Sequence, residues 1–479
     1  MNPMSAIFDE KIRKAAAEPA LQRKVYAATG RLMDHRRHAV TEAALPDYQE
    51  LRALAHELKK HTIEHLDHYL EQFAASVERN GGHVVFCETG EQVADFLIEL
   101  AGRRGARLFV KSKSMTSEEI DLNERLERRQ LEAVETDLGE FIVQMTGERP
   151  YHIVAPAMHL SRYDVADLFT AKLGMPREEV IEEQTMIARR VLREKFLKAD
   201  IGVSGANFLV ADSGAVVLVE NEGNARLTTS APPVHVAIAG IEKLIPRAQD
   251  LAVFLKLLGR SATGQALTSY TSILSGPRRE GELDGPEEFY VVLLDGGRSK
   301  LLADADKRQS LYCIRCGACL NHCPVYRKIG GHSFPWVYSG PIGAILTPQF
   351  MGPLHEPGLP FASSLCGACA EVCPVKIDIP KILLELRAEV KEAETRAGAN
   401  RLERLAFQMW AWAMTHPAAY EMGGVLAAAA MARQDGFMRE MPGPLNAGPA
   451  KAWASQRDVP TPAAQPFRAW WRQRRGGRA

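Results

Sequence analysis

"LYCIRCGACLNHCPVY" (residues 311–326) and "SSLCGACAEVCPVKI" (residues 363–377) decide the reading of this chain. The first stretch holds Cys313, Cys316, Cys319 and Cys323, followed by Pro324. The second repeats the pattern with Cys366, Cys369 and Cys373 before Pro374, but has Ser363 where its first cysteine would stand. Cys-x2-Cys-x2-Cys-x3-Cys-Pro is the bacterial ferredoxin spacing for [4Fe–4S] clusters. Two-residue gaps let one tight loop point three thiolates at one face of a cubane, and the fourth cysteine faces the other cluster. Pro324 ends the loop with a fixed φ and needs no backbone donor. Gly317 and Ala318 leave room for the backbone to approach the cluster. Zinc also uses Cys-x2-Cys pairs, but it takes four ligands per ion. Seven cysteines set four and three, with Cys-Pro twice, fit two crossed iron–sulfur clusters better.

Crossed ligation assigns Cys313, Cys316, Cys319 and Cys373 to cluster one. Cysteines 323, 366 and 369 (Cys323, Cys366, Cys369) go to cluster two, which is left one thiolate short. A serine hydroxyl is a poor ligand unless deprotonated, so cluster two is either a [3Fe–4S] centre or a [4Fe–4S] centre with another fourth ligand. His332 and His355, between the motifs, are candidates; such histidines more often serve packing or surface. The eighth cysteine, Cys87 in "HVVFC", reads as a small buried side chain on a strand.

At 479 residues the chain has room for two or three domains. Lys plus Arg equals Asp plus Glu at 59 each, which gives no electrostatic reason to expect nucleic acid. The N-terminus lacks the basic start and apolar run of a signal peptide. The longest small apolar run, "GGVLAAAAMA" (423–432), is about half the ~20 residues that cross a bilayer. Clustered rather than scattered cysteines argue against a disulfide framework. The expected location is the cytoplasm, or the inner face of the membrane as a peripheral protein.

Four regions are expected. Residues 1–80 are helical, with Leu51, Leu54, Ala55 and Leu58 and then Ile63, Leu66, Leu70 and Phe73 at helical spacing, and Pro46 before them. Residues 81–300 alternate strands and helices, which implies βαβ units around a mostly parallel sheet. The strand-like runs are 83–87, 107–111, 132–136, 152–157, 199–205, 207–212, 215–221 and 288–295. Residues 301–395 hold the cysteine motifs in a helical ferredoxin-type domain. Between the motifs runs a Gly/Pro-rich stretch, and a helix carrying Ile377, Ile379, Ile382, Leu383, Leu386 and Val390 follows. Residues 396–479 are a helical segment and a proline-rich basic tail. Trp470 and Trp471 in that tail suit an arm packed on its own domain or a docking segment for a partner. The fold class is multidomain, α/β plus α.

Together, "VKSKSMTSEEIDLN" (110–123), "VETDLGEFIVQMTGERPYHIVAPAMH" (134–159), the two cysteine motifs and "RDVPTPAAQPFRAWWR" resemble the iron–sulfur subunits of the lactate-utilisation system, over nearly the whole chain. The resemblance implies a role in oxidising L-lactate to pyruvate, as a subunit of an oxidoreductase complex rather than a complete enzyme. It implies two partners, a cysteine-rich iron–sulfur protein and a smaller protein with a related α/β domain. It also implies a helical ferredoxin part of the type in respiratory dehydrogenase subunits, and that the gap at Ser363 belongs to the family. The α/β domain is similar to the sugar-phosphate isomerase and coenzyme-A transferase superfamily.

The resemblance assigns no catalytic residue. "KSKSM" (111–115) puts Lys111, Ser112, Lys113 and Ser114 at a strand-to-helix junction, where they suit an anion or, for the hydroxyls, a helix cap. Glu220 and Glu222 follow a strand and suit either a functional carboxylate or a capping role. No G-x-G-x-x-G follows the first strand, so a nucleotide cofactor is not expected. The leading expectation is an electron-transfer subunit with two clusters. The alternative is an α/β enzyme or binding protein for a small carboxylate or phosphate, with regulatory clusters; a third is an iron–sulfur sensor or scaffold.

Overall fold

The computed structural model describes residues 3–399, 401–431, 437–438, 451, 459–460, 463 and 465–476. Ten strands lie between residues 83 and 294: β1 (His83–Cys87), β2 (Leu108–Lys111), β3 (Glu132–Glu135), β4 (Ile201–Ser204), β5 (Phe208–Val210), β6 (Ala215–Glu220), β7 (Val234–Gly240), β8 (Leu244–Ile245), β9 (Tyr270–Leu274) and β10 (Glu288–Leu294). Six of them form one sheet in the order β1-β10-β7-β4-β2-β3, and every pairing is parallel. The composition explains this. β4 and β7 are buried along their whole length, as strands covered on both faces must be. The register brings the carboxyl ends of the strands level, with Lys111 opposite both Glu135 and Val203, and Ser204 opposite Ala237.

A second sheet, in the order β8-β5-β6-β9, was not expected from the sequence. Its centre is a β5–β6 hairpin turned by Gly214, at φ 68°. A side chain there would meet the backbone N of Val77 at 2.6 Å, so glycine lets the hairpin rest on the helix Leu66–Arg79. Three expectations change. Residues 152–157 are a turn, not a strand: the amides of Val154 and Ala155 donate to His152 Nδ1, and Tyr151 N donates to the Pro156 carbonyl. "VHVAIAG" at 234–240 is the strand β7, and the Gly/Pro-rich stretch contains a helix, Gly340–Met351, that starts with Pro341 in its first turn.

The N-terminal region is helical as expected, with helices Pro3–Ala16, Pro19–Ala39, Tyr48–Glu64 and Leu66–Arg79. One continuous core runs from these helices through the second sheet into the cysteine-bearing segments. There the helices are short: Ala318–His322, Pro324–Ile329 and Ala368–Val372. The helix Ile379–Arg396 buries Ile379, Ile382, Leu383, Leu386 and Val390 as expected, whereas Ile377 is buried in the segment before it.

Residues 1–391 form one compact unit and 392–479 a second. In the second, helices Arg401–Thr415, Pro417–Met431 and Phe467–Gly476 are described, and Arg472 donates to Glu421. Trp470 and Trp471 lie on the last helix, where Trp471 stacks with Phe467 and Trp470 packs on it at a tilt. Most of the proline-rich tail lies outside the described residues.

Candidate metal centre

The two cysteine loops have the same backbone. Arg315 and Leu365, each just before a cysteine, adopt left-handed φ of 59° and 54°. Gly317 and Gly367, each just after that cysteine, have φ of 74° and 82°. Left-handed backbone is costly for a side-chain-bearing residue. Its return at matching positions turns successive N–H groups inward, the concavity that suits anions. The amides do point at sulfur. Arg315 N donates to Cys313 Sγ, Tyr326 N to Cys323 Sγ and Ile377 N to Cys373 Sγ, each at 3.4 Å. Ala318 N and Ala368 N serve Cys316 and Cys366 in the same way.

None of the eight cysteines is in a disulfide. Cys313, Cys316, Cys319 and Cys373 line one cavity. Burial, reinforced by Cys373 and Cys313, pushes the Cys316 thiol up to about 12. Burial pushes Cys373 up to about 11, with Cys313 adding to it. The remaining three form another group. Cys369 is pushed up to about 12 by burial and then by Cys323 and Cys366. Cys319 also feels Cys369, more weakly than its own group. Thiols this deep become thiolates only beside a cation, so this donor set fits iron. Cys366 is the exception: it is exposed, and the Ala368 amide and the Ser364 hydroxyl lower its pKa.

The other candidates separate. Ser363 Oγ accepts from Leu365 N at 3.1 Å, which makes it a turn cap, whereas its neighbour Ser364 bonds the Cys366 thiol. His332 Nε2 is bonded to the Arg149 carbonyl at 2.7 Å, and its ring packs on Tyr151 and His159. His332 joins His159 and Glu148 in a cluster whose ligand atoms lie within 4.8 Å of one another, which no sequence spacing announces. His355 is half-buried. Cys87 is buried alone at the end of β1.

The second motif is held from a distance. Arg52, on Tyr48–Glu64, donates to the carbonyls of Cys373 at 2.8 Å and Glu371 at 2.7 Å. Arg36 donates to the Val372 carbonyl at 3.2 Å, and His56 Nδ1 lies 2.9 Å from the Val375 carbonyl. These groups satisfy carbonyls that end the short helix Ala368–Val372.

Beyond the carboxyl ends of β2, β3 and β4 lies a cavity of about 320 Å³, where open parallel sheets bind ligands. The four residues read together at 111–114 part here. Lys111 is fully buried in an ionic cluster with Glu135 at 2.6 Å, Glu118 and Asn123, so it faces no ligand. Ser114 caps the helix Met115–Glu119. Ser112 and Lys113 line the cavity. Glu220 and Glu222 also line it, and both cap helices: Glu220 accepts from Ala225 N and Arg226 N, Glu222 from Leu138 N. Burial and the neighbouring Asp137 push Glu222 up to about 7. The far wall belongs to the cysteine region, with Arg315, Cys316 and Tyr338.

Family profiles match in three places: the LUD domain over residues 70–294, a 4Fe-4S dicluster domain over 309–377, and the C-terminal region of lactate utilisation protein B over 385–476. "Lactate utilization protein B" of Bacillus licheniformis is 44% identical over 98% of this chain and 97% of its own. The protein of that name from Bacillus velezensis is 43% identical over the same shares. The chain belongs to the lactate utilization protein B family. A DUF162 family protein from Deinococcus radiodurans, known from a crystal structure, aligns with a TM-score of 0.27 and 11% identity, over 48% of this chain and 98% of its own.

The chain also carries polar residues that the sequence reading passed over. Arg298, fully buried, donates to both oxygens of Glu119 at 2.8 and 2.9 Å and to Glu242 at 2.5 Å. Glu242 also receives Arg315 at 3.3 Å, and these guanidinium groups hold its carboxyl at about 2 against the effect of burial. Lys59 donates to the carbonyls of Glu242 and Leu244, and burial pulls its pKa down to about 7. Lys243 stands next to them at the cavity wall. No motif marks these positions; they meet only because β7 ends beside the first cysteine loop.

Proposed function

We infer that this chain is the iron–sulfur electron-transfer subunit of a complex that oxidises L-lactate to pyruvate, releasing two electrons and two protons per lactate. The observation that carries the reading is the division of seven thiols into a group of four and a group of three, under two loops of matching backbone, in a lactate utilization protein B. Cys313, Cys316, Cys319 and Cys373 would hold cluster one, and Cys323, Cys366 and Cys369 cluster two. When bound, such clusters pass single electrons. The Ser363 hydroxyl already accepts a backbone amide. Cluster two therefore has three thiolates, as a [3Fe–4S] centre or a [4Fe–4S] centre with another ligand. The chain has no nucleotide fingerprint for a hydride acceptor, so the other two lactate-utilisation proteins complete the complex. No helix among the described residues is long and apolar enough to cross a membrane.

A second reading, an α/β enzyme or binding protein for a small carboxylate or phosphate with regulatory clusters, is favoured by the cavity at the strand ends. Co-expression with the two partners, anaerobic purification and a lactate-to-dye assay separate the two. The electron-transfer reading expects lactate-dependent dye reduction that is abolished when the clusters are chelated out. Turnover that survives cluster removal would instead support the second reading.

A further inference from the structure

Most charged groups near the cavity are spoken for. Glu220, Glu222 and Asp137 cap helices, and Lys113 donates to the Val154 carbonyl at 3.0 Å. Three polar groups on its wall are not. Lys243 is 8% exposed, and its ammonium, which feels the charge of Glu242, has no hydrogen-bond partner among the described residues. Ser112 is 3% exposed, and its hydroxyl is without a partner. Arg315 is held by Glu242 and by the ring of Tyr338, 4.6 Å from the guanidinium carbon, yet its Nε and Nη1 are buried and unpaired. A buried donor left without an acceptor costs about 1–3 kcal/mol, so the Ser112 hydroxyl and the two free Arg315 nitrogens, lining the same cavity as the Lys243 ammonium, point to an acceptor that arrives from outside.

We propose that this cavity binds a short 2-oxo- or 2-hydroxycarboxylate, with its carboxylate between Lys243 and Arg315 and with Ser112 as a further donor, against the loop that carries Cys316. The proposal rests on the functional reading above and gives it a place. Two adjacent cations and a hydroxyl are acceptor-seeking groups, and the guanidinium suits a carboxylate. The lining also carries Asp137, Glu220 and Glu222, which disfavour a second negative charge and so disfavour phosphate. The volume is at the small end for ligand cavities. Cys316 also lines the cavity, so the ligand would lie beside a cluster-one thiolate.

The test uses the full chain loaded with its clusters under anaerobic conditions. Pyruvate and inorganic phosphate are titrated by calorimetry, and the reduced cluster-one signal is followed by electron paramagnetic resonance. Pyruvate is expected to bind at least tenfold more tightly than phosphate and to change the line shape of cluster one. Lys243→Met should weaken pyruvate at least tenfold at unchanged iron and sulfide content, and Ser112→Ala severalfold. Lack of pyruvate binding by the unaltered chain, equal affinity for phosphate, or unchanged affinity in Lys243→Met overturns the proposal. A Lys243→Met chain with a shifted cluster-one potential but unchanged affinity also overturns it, and makes this lysine a counter-charge to the cluster. If Lys243→Met loses iron, Ser112→Ala decides, because Ser112 follows β2 and is no part of the cysteine loops. Pyruvate binding in a complex that lactate cannot reduce would keep the site and remove the functional reading. Lactate turnover with a chain that binds no pyruvate would do the reverse.

Discussion

At the scale of single residues, burial decides which side chains keep their charge. His235 sits in the middle of the parallel sheet, fully buried, with Nε2 2.8 Å from Ser204 Oγ, and burial pulls its pKa down to about 3. The unfolded chain takes up that proton near pH 6.5, and the folded chain only near pH 3. The neutral histidine's contribution is therefore complete above pH 6.5 and falls as the pH drops towards 3, by up to ~1.4 kcal/mol per pH unit. His235→Asn should flatten the pH dependence of the denaturation midpoint across that window, relative to the parent chain carrying the same clusters. Parallel curves would show that His235 does not titrate on unfolding. Residues at this scale were legible only where neighbours in sequence are neighbours in the site. The cysteines are, because two- and three-residue gaps are a local geometry. Lys111 to Ser114 were half legible: the junction was right, but a strand alternates its faces, so Lys111 turned to Glu135 while Ser112 turned to the cavity. Lys243 and Arg52 act across the fold and carry no local signature.

At the scale of elements, the helix Tyr48–Glu64 is more than a cover for the sheet. Its Arg52 spans the gap to the second cysteine motif and satisfies the carbonyls of Glu371 and Cys373. Arg52→Leu keeps the bulk and strips those carbonyls, at a cost of about 1–3 kcal/mol local to Cys373. The expected result is lower iron and sulfide content, with the four-thiolate cluster lost first and the circular dichroism of the rest retained. Unchanged cluster content would mean that the motif supports itself. The amphipathic pattern revealed this helix from sequence, since its apolar residues recur at three and four. It could not reveal what the polar face grips. The helix Gly340–Met351 was hidden for the opposite reason. Its residues from Gly340 to Pro348 are buried on every side, so no alternation marks it, and its prolines read as breakers. The turn at 152–157 looked like a strand because its residues are apolar, but His152 Nδ1 takes two of the amides a sheet would need.

At the scale of the molecule, the α/β sheet and the cysteine loops meet around one cavity, and the N-terminal helices brace both. The parallel sheet and the helical cluster region were legible as alternation and as motif. The second sheet was not, because short strands such as Leu244–Ile245 carry no period of their own and form only against β5. In the proposed ligand sets each cysteine motif supplies a ligand to the other's cluster, so the two clusters would form as one unit. That is the central claim, and one measurement reaches it most directly: iron and sulfide analysis with paramagnetic resonance on the anaerobic chain, on Cys373→Ser and on Cys323→Ser. The account predicts about seven or eight iron per chain with matching sulfide in the parent. It further predicts that Cys373→Ser removes the signal of the four-thiolate cluster anchored on the first motif, and that Cys323→Ser removes the other. Substitutions that each damage the cluster of their own motif, or stoichiometric zinc without sulfide, would contradict it.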